Sequence, residues 1–78
     1  MEFRIGDFVT GINSRGKVCC IGLVKEHSEK EYLLTYALLD LETNQVEQRG
    51  LRFSKGNVRL STDDERKLFL DKLIKVVD

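Results

Sequence analysis

The chain has 78 residues, the length of a single small domain, expected here over 1–78. Thirteen Lys and Arg balance thirteen Asp and Glu, so the net charge is zero, which excludes a polybasic coat for nucleic acid and an acidic tail. A composition 41% hydrophobic and 33% charged suits a folded globule rather than a disordered segment, and no apolar run approaches the ~18 residues of a membrane span.

The opening Met1-Glu2-Phe3-Arg4 lacks the basic stretch and apolar core of a secretory signal, and Lys75-Val76-Val77-Asp78 carries no lipidation or retention signal. A cytoplasmic protein is expected. Phe8 to Ile12 reads as a short strand with Phe8, Thr10 and Ile12 on one face and Val9 on the other. Asn13-Ser14-Arg15-Gly16 is turn material, because Asn and Gly tolerate positive φ. Lys17 to Lys25 reads as a second, largely buried strand, with Gly22 marking a bulge or bend. Its adjacent Cys19 and Cys20 are expected on opposite faces, unable to cross-link or to hold one metal together.

A charged loop, His27 to Glu31, follows. Residues 32–41 fit both periods: Tyr32, Leu34, Tyr36 and Leu38 alternate as in a strand, whereas Leu34, Ala37, Leu38 and Leu41 match a helical face. Strand is preferred, since turn signals flank the segment. Val46 to Ser54 reads as a further extended stretch broken at Gly50, Lys55-Gly56-Asn57 as a turn, and Val58 to Leu60 as a last short strand. Residues 62–77 form a helix. Thr62 and Glu65 make a capping box, Asp63 and Asp64 suit the positive end of the helix dipole, and Lys72 and Lys75 suit the other. Leu70, Leu73, Ile74 and Val77 keep the spacing of one apolar face, flanked by Phe69 and Val76. The expected architecture is mainly β: a small Src-homology-3-like barrel of about five antiparallel strands over 3–60, one open end of which is capped by the C-terminal helix.

Ile5-Gly6-Asp7-Phe8-Val9, Gly11, then Gly16-Lys17-Val18 and Ile21 resemble the opening of small barrels of the KOW, Tudor and Src-homology-3-like kind. Leu51-Arg52-Phe53-Ser54, Val58 to Thr62 and Glu65 with its helix are similar to short phage and mobile-element proteins of bacteria. The resemblance implies a non-catalytic binding domain and carries over no specific binding residue. No aromatic set stands at the spacing of a methyl-lysine cage.

Gly11 to Lys17 matches seven positions of the phosphate-cradling pattern G-x-x-x-x-G-K-[ST], but Val18 replaces the magnesium-binding hydroxyl and a strand, not a helix, follows. A hairpin turn is expected instead. His27 is expected to be a solvated surface ring; Asp63, Asp64 and Glu65 are accounted for by helix capping. Cys19, Cys20 and His27 do not make a zinc set, and the serines have no adjacent base. No enzyme, cofactor or metal is expected, and no small-molecule substrate is evident.

The charges are unevenly spread. Residues 49–60 carry net +4 with no acid, whereas residues 26–48 carry net −5. Arg49, Arg52, Lys55 and Arg59, joined by Arg15 and Lys17 if the first hairpin lies beside the later strand, would hold phosphates, with Phe53 or Tyr36 touching a base. The expected partner is DNA or RNA. The alternative is a protein partner or self-association, the basic run then being a solvated strand edge that resists aggregation.

Overall fold

A computed structural model describes the backbone of residues 3–28, 31–48 and 50–77, and the side chains of these except 31–37 and 75–77. The strands are β1 (Phe8–Ile12), β2 (Val18–His27), β3 (Glu31–Asp40), β4 (Gln45–Glu47), β5 (Arg52–Ser54) and β6 (Val58–Leu60). A 3-10 turn, Lys55–Asn57, separates β5 from β6, and helix α1 spans Asp63–Val77. All pairings are antiparallel; the sheet runs β4-β3-β2-β1-β6, with β5 also on β3.

β4 and β5 are two halves of one interrupted strand. Leu38 pairs with Glu47, and five residues back along β3 Leu33 pairs with Arg52, five residues on from Glu47. The ladder register is therefore unchanged across the break that Gly50 marks in the sequence. Residues 32–41 resolve as extended chain, with β3 ending one residue early at Asp40. Asp40 then shapes the β3–β4 turn: its Oδ1 accepts from the Glu42 amide at 2.8 Å, its carbonyl from the Asn44 amide at 2.7 Å, and Asn44 takes a φ of 60°.

Alternation along the strands divides the core between two faces. Phe3, Val9, Cys20, Val24, Leu38 and Val58 cluster on one, with Leu51 and Phe53 against them. Ile21, Leu39 and Phe69 cluster on the other, with Phe8, Leu41, Val46 and Leu73. Sequence neighbours thus part company: Phe8 from Val9, Cys20 from Ile21, Leu38 from Leu39. The first face is covered by the curl of the sheet itself. A Cβ placed on Gly11 would meet Phe53 Cζ at 2.8 Å, so β5 reaches across to β1. The register shifts that permit this curl begin directly after Gly22, between Gly22 and Val24, and recur between Val24 and Glu26.

The second face is covered by α1, which packs against β2, β3 and β4. Phe69 is fully buried there, meeting Phe8 edge-to-face with ring centroids 5.9 Å apart. The rotation of the helix departs from expectation. Leu73 does face the sheet, but Leu70 and Ile74 are 42% and 59% exposed; the side chain of Val77 lies outside the described residues. The line turned towards the sheet is Glu65, Phe69 and Leu73, at steps of four, with Phe69 fully buried and the other two half-buried. Its phase is set at the first turn, where Glu65 is tied to β1 and β6.

The cysteines are a second departure. Gly11 pairs with Cys20 but Ile12 pairs with Val18, leaving Cys19 as the extra residue of a bulge. The bulge interrupts the two-residue period. Cys19 therefore packs against the same cluster that contains Cys20, and its Sγ donates to the Gly11 carbonyl at 3.4 Å.

Candidate nucleic-acid interface

The candidate cations occupy different environments in the fold. Arg15 and Lys17 are exposed on the β1–β2 hairpin. Asn13 organises that hairpin: its carbonyl accepts from the Gly16 amide at 2.9 Å, and its Oδ1 accepts from the Arg15 and Lys17 amides at 2.9 and 3.1 Å. Gly16 supplies the positive φ of 78°. Three successive amides are thus already satisfied, and the loop leads into β2. The seven residues that match a phosphate-binding loop make an Asx-type hairpin, and what this hairpin offers a phosphate is its two cationic side chains.

The ladder brings this hairpin to the basic run. Gly11 pairs with Val58, the first residue of β6, so the Lys55–Asn57 turn lies at the same end of β1 as residues 13–16. The Phe53 ring reaches Gly11 near this end, while β5 itself pairs with the start of β3, Arg52 opposite Leu33. Arg52 is exposed on β5, and Lys55 is half-buried in the 3-10 turn, where it already has an interaction within the fold. Arg49 lies outside the described residues, as does the side chain of Tyr36.

Arg59 has a different role. Its guanidinium forms a bidentate pair with Glu65, Nη1 to Oε1 at 2.7 Å and Nη2 to Oε2 at 2.9 Å, and Nη1 also donates to the Leu60 carbonyl. Glu65 Oε1 further accepts from the Thr62 amide at 2.8 Å and from Thr10 Oγ1 at 3.1 Å, while the Glu65 amide donates to Thr62 Oγ1. The capping box is therefore present, and it doubles as a clamp between α1, β1 and β6. Thr10, fully buried, shares a 2.8 Å hydrogen bond with Ser61. The Arg59 hydrogen bonds pull the Glu65 carboxyl down to about 2, and the same contacts raise Arg59. A guanidinium committed to a carboxylate is a poor phosphate ligand, so Arg59 leaves the proposed set.

Phe53 leaves it as well. Between exposed Arg52 and Ser54 it turns inward, against the core cluster and Gly11. A ring held there does not offer its face to a base.

The thiols belong to the packing. Burial pushes Cys19 up and Cys20 up to about 12, with Asp40 adding to both shifts and Glu42 to that of Cys19. Among the described residues no group of three or more His, Cys, Asp or Glu could hold a metal ion, and no helix is long and apolar enough to cross a membrane.

Sequence reasoning recognised the pairing of Thr62 with Glu65 but missed Thr10, Ser61 and Arg59 as its partners. A capping box is a four-residue pattern, whereas Thr10 and Glu65 meet only through the β1–β6 ladder. The role of Asn13 was legible as an Asx turn. Compared with known protein families, with curated proteins and with solved structures, the chain matches none.

Proposed function

We propose that this chain is a non-catalytic binding module that engages nucleic-acid phosphates at the end of the sheet formed by the β1–β2 hairpin, β5 and the 3-10 turn. The observation that carries the reading is the pairing of Gly11 with Val58, which brings the hairpin of Arg15 and Lys17 to the end of β1 where the 3-10 turn with Lys55 lies. Arg15, Lys17 and Arg52 are its principal ligands, with Lys55 in the same arc. The finer architecture belongs to the same proposal. A sheet curled until Phe53 touches Gly11, with a 3-10 turn between its last two strands, supports a small barrel of the Src-homology-3-like kind. Titration of labelled oligonucleotides against salt tests the function. Binding is expected to weaken as salt rises and to be lost in the Arg15→Ala, Lys17→Ala, Arg52→Ala triple variant with the far-ultraviolet spectrum unchanged. No binding at ~50 mM salt, or binding without a salt slope, refutes it.

A second reading rests on the rotation of α1. Leu70 and Ile74, one turn apart on the helix, are exposed, an arrangement that suits a protein partner or a second copy. Sedimentation of the chain and of an Ile74→Lys variant separates the two readings: self-association abolished by the variant supports this one, and a monomer at all concentrations removes the second-copy form.

A further inference from the structure

Cys19 and Cys20 are neighbours in the chain, and the bulge of β2 brings both thiols to one place. Gly11 pairs with Cys20 and Ile12 with Val18, so Cys19 faces no residue across the ladder and joins the cluster that already holds Cys20. Both sulfurs lie against Gly11. Cys19 Sγ donates to the Gly11 carbonyl at 3.4 Å, and Cys20 Sγ stands 3.0 Å from where a Cβ on Gly11 would be. The thiols also hydrogen-bond each other. Regular alternation would have pointed them to opposite faces and kept them apart.

The two differ in exposure. Cys19 is half-buried, whereas Cys20 is only 2% exposed. Burial raises both thiols, Cys20 to about 12, but their shared hydrogen bond lowers Cys19 and raises Cys20. The first thiolate to form is therefore that of Cys19, the residue partly open to solvent. Among the described residues no third ligand joins them to hold a metal ion. The packing leaves little room for an added atom either, since a Cβ on Gly11 would already meet Phe53 Cζ at 2.8 Å. Joining the sulfurs to each other adds nothing to this space: two hydrogens leave and no atom enters.

We propose that Cys19 and Cys20 are an intramolecular redox pair, in which a peroxide oxidises Cys19 and Cys20 closes on it as a vicinal disulfide. The Cys19 thiolate attacks one peroxide oxygen. An S–O bond forms, the O–O bond breaks, and the departing hydroxide takes up the thiol proton as water, leaving a sulfenic acid. The Cys20 sulfur then attacks the Cys19 sulfur. The S–S bond forms, the S–O bond breaks, and the oxygen departs with the Cys20 proton as a second water. Two thiols are oxidised by two electrons, and one hydrogen peroxide is reduced to two waters. Thiolate is scarce in this setting, so the first step is slow and answers sustained peroxide. Adjacent Cα atoms, about 3.8 Å apart, are closer than the ~4.4–6.8 Å of most disulfides, which makes the bond easily reduced and the closure reversible.

Oxidation is read by mass and is independent of nucleic-acid binding. The full chain is reduced, freed of reductant and treated with hydrogen peroxide, and intact mass, free thiols and mobility on a non-reducing gel are followed. The wild type is expected to become lighter by two hydrogens, to lose both free thiols, to remain monomeric and to regain both thiols with dithiothreitol. In Cys20→Ser the ring cannot close, and Cys19 is expected to persist as a sulfenic acid that dimedone traps. In Cys19→Ser the buried Cys20 is expected to stay a free thiol; circular dichroism shows that each variant is folded. Wild type that carries sulfinic or sulfonic acid on Cys19 with Cys20 still free overturns the proposal, as do oxidation chiefly to disulfide-linked dimers and resistance of both thiols to peroxide. Ring closure in urea as complete as in the folded chain also overturns it, because the bulge would then contribute nothing.

Discussion

Removing the charge of Glu65 without removing its shape isolates the clamp between helix and sheet. Glu65→Gln keeps an acceptor for the Thr62 amide and for Thr10, so the cap persists, but it deprives Arg59 of its carboxylate. The carboxyl of Glu65 stands near 2, against an ordinary value of 4.5. Shielded from solvent, that difference would be worth about 3 kcal/mol at ~1.36 kcal/mol per unit. Arg59 is 41% exposed, so solvent screens the pair, and a loss of about 1–2 kcal/mol is expected. For a domain of this size that lowers the melting temperature by roughly 4–16 °C. The pH dependence gives a sharper criterion. The folded carboxyl is depressed, so its contribution is complete above the unfolded value of 4.5 and is lost as pH falls from there towards 2. Denaturant unfolding of wild type and Glu65→Gln should differ most at pH 6–7, with the gap closing as the solution is acidified below 4.5. An Arg59→Met partner variant completes the cycle, with most of the loss appearing as coupling between the two positions. Equal stability of wild type and Glu65→Gln at pH 7, or a gap independent of pH, would refute the assignment of Arg59 to the clamp and return it to the phosphate-binding set.

Gly11→Ala is expected to destabilise the fold by about 1–3 kcal/mol, because its methyl would meet Phe53 Cζ at 2.8 Å and Cys20 Sγ at 3.0 Å within packed core; thermal melts check this. Phe69→Ala removes a fully buried ring with its edge-to-face partner, at an expected cost of about 3–5 kcal/mol, whereas Leu70→Ser should change stability by less than about 1 kcal/mol; the reverse order would mean that the helix is rotated as its sequence pattern suggests. In native protein at pH 8, iodoacetamide should modify Cys19 slowly and spare Cys20, whose thiol is buried and pushed up to about 12, with both reacting in urea; mass spectrometry follows each site.

Much of the local structure could be read before any tertiary contact was known. Alternation of apolar residues, Asn and Gly at the first turn, Gly22 ahead of the register shifts and Gly50 in the interrupted strand are properties of a few adjacent residues. So is the Thr62–Glu65 box, because the forces that form turns, strands and caps act over two to four positions. The flanks of residues 32–41 favour strand over helix, and the chain is a strand from Glu31 to Asp40.

Tertiary structure decided the rest. The helical stripe through Leu70 and Ile74 is a genuine pattern, yet the face that packs is fixed by Glu65 reaching Thr10, on a strand far away in the chain, as well as the nearby Arg59. Cys19 turned towards the side of its neighbour because β1 is one residue shorter than β2 across their bulge, a mismatch visible only in the pairing. Charge followed the same rule. The sequence counts four cations between residues 49 and 60, but whether a cation is spent on a carboxylate or left to a phosphate depends on what the fold places within ~4 Å of it. The long-range β1–β6 ladder brings the hairpin of Arg15 and Lys17 to the end of β1 where Lys55 lies, while the local contact with Glu65 takes up Arg59.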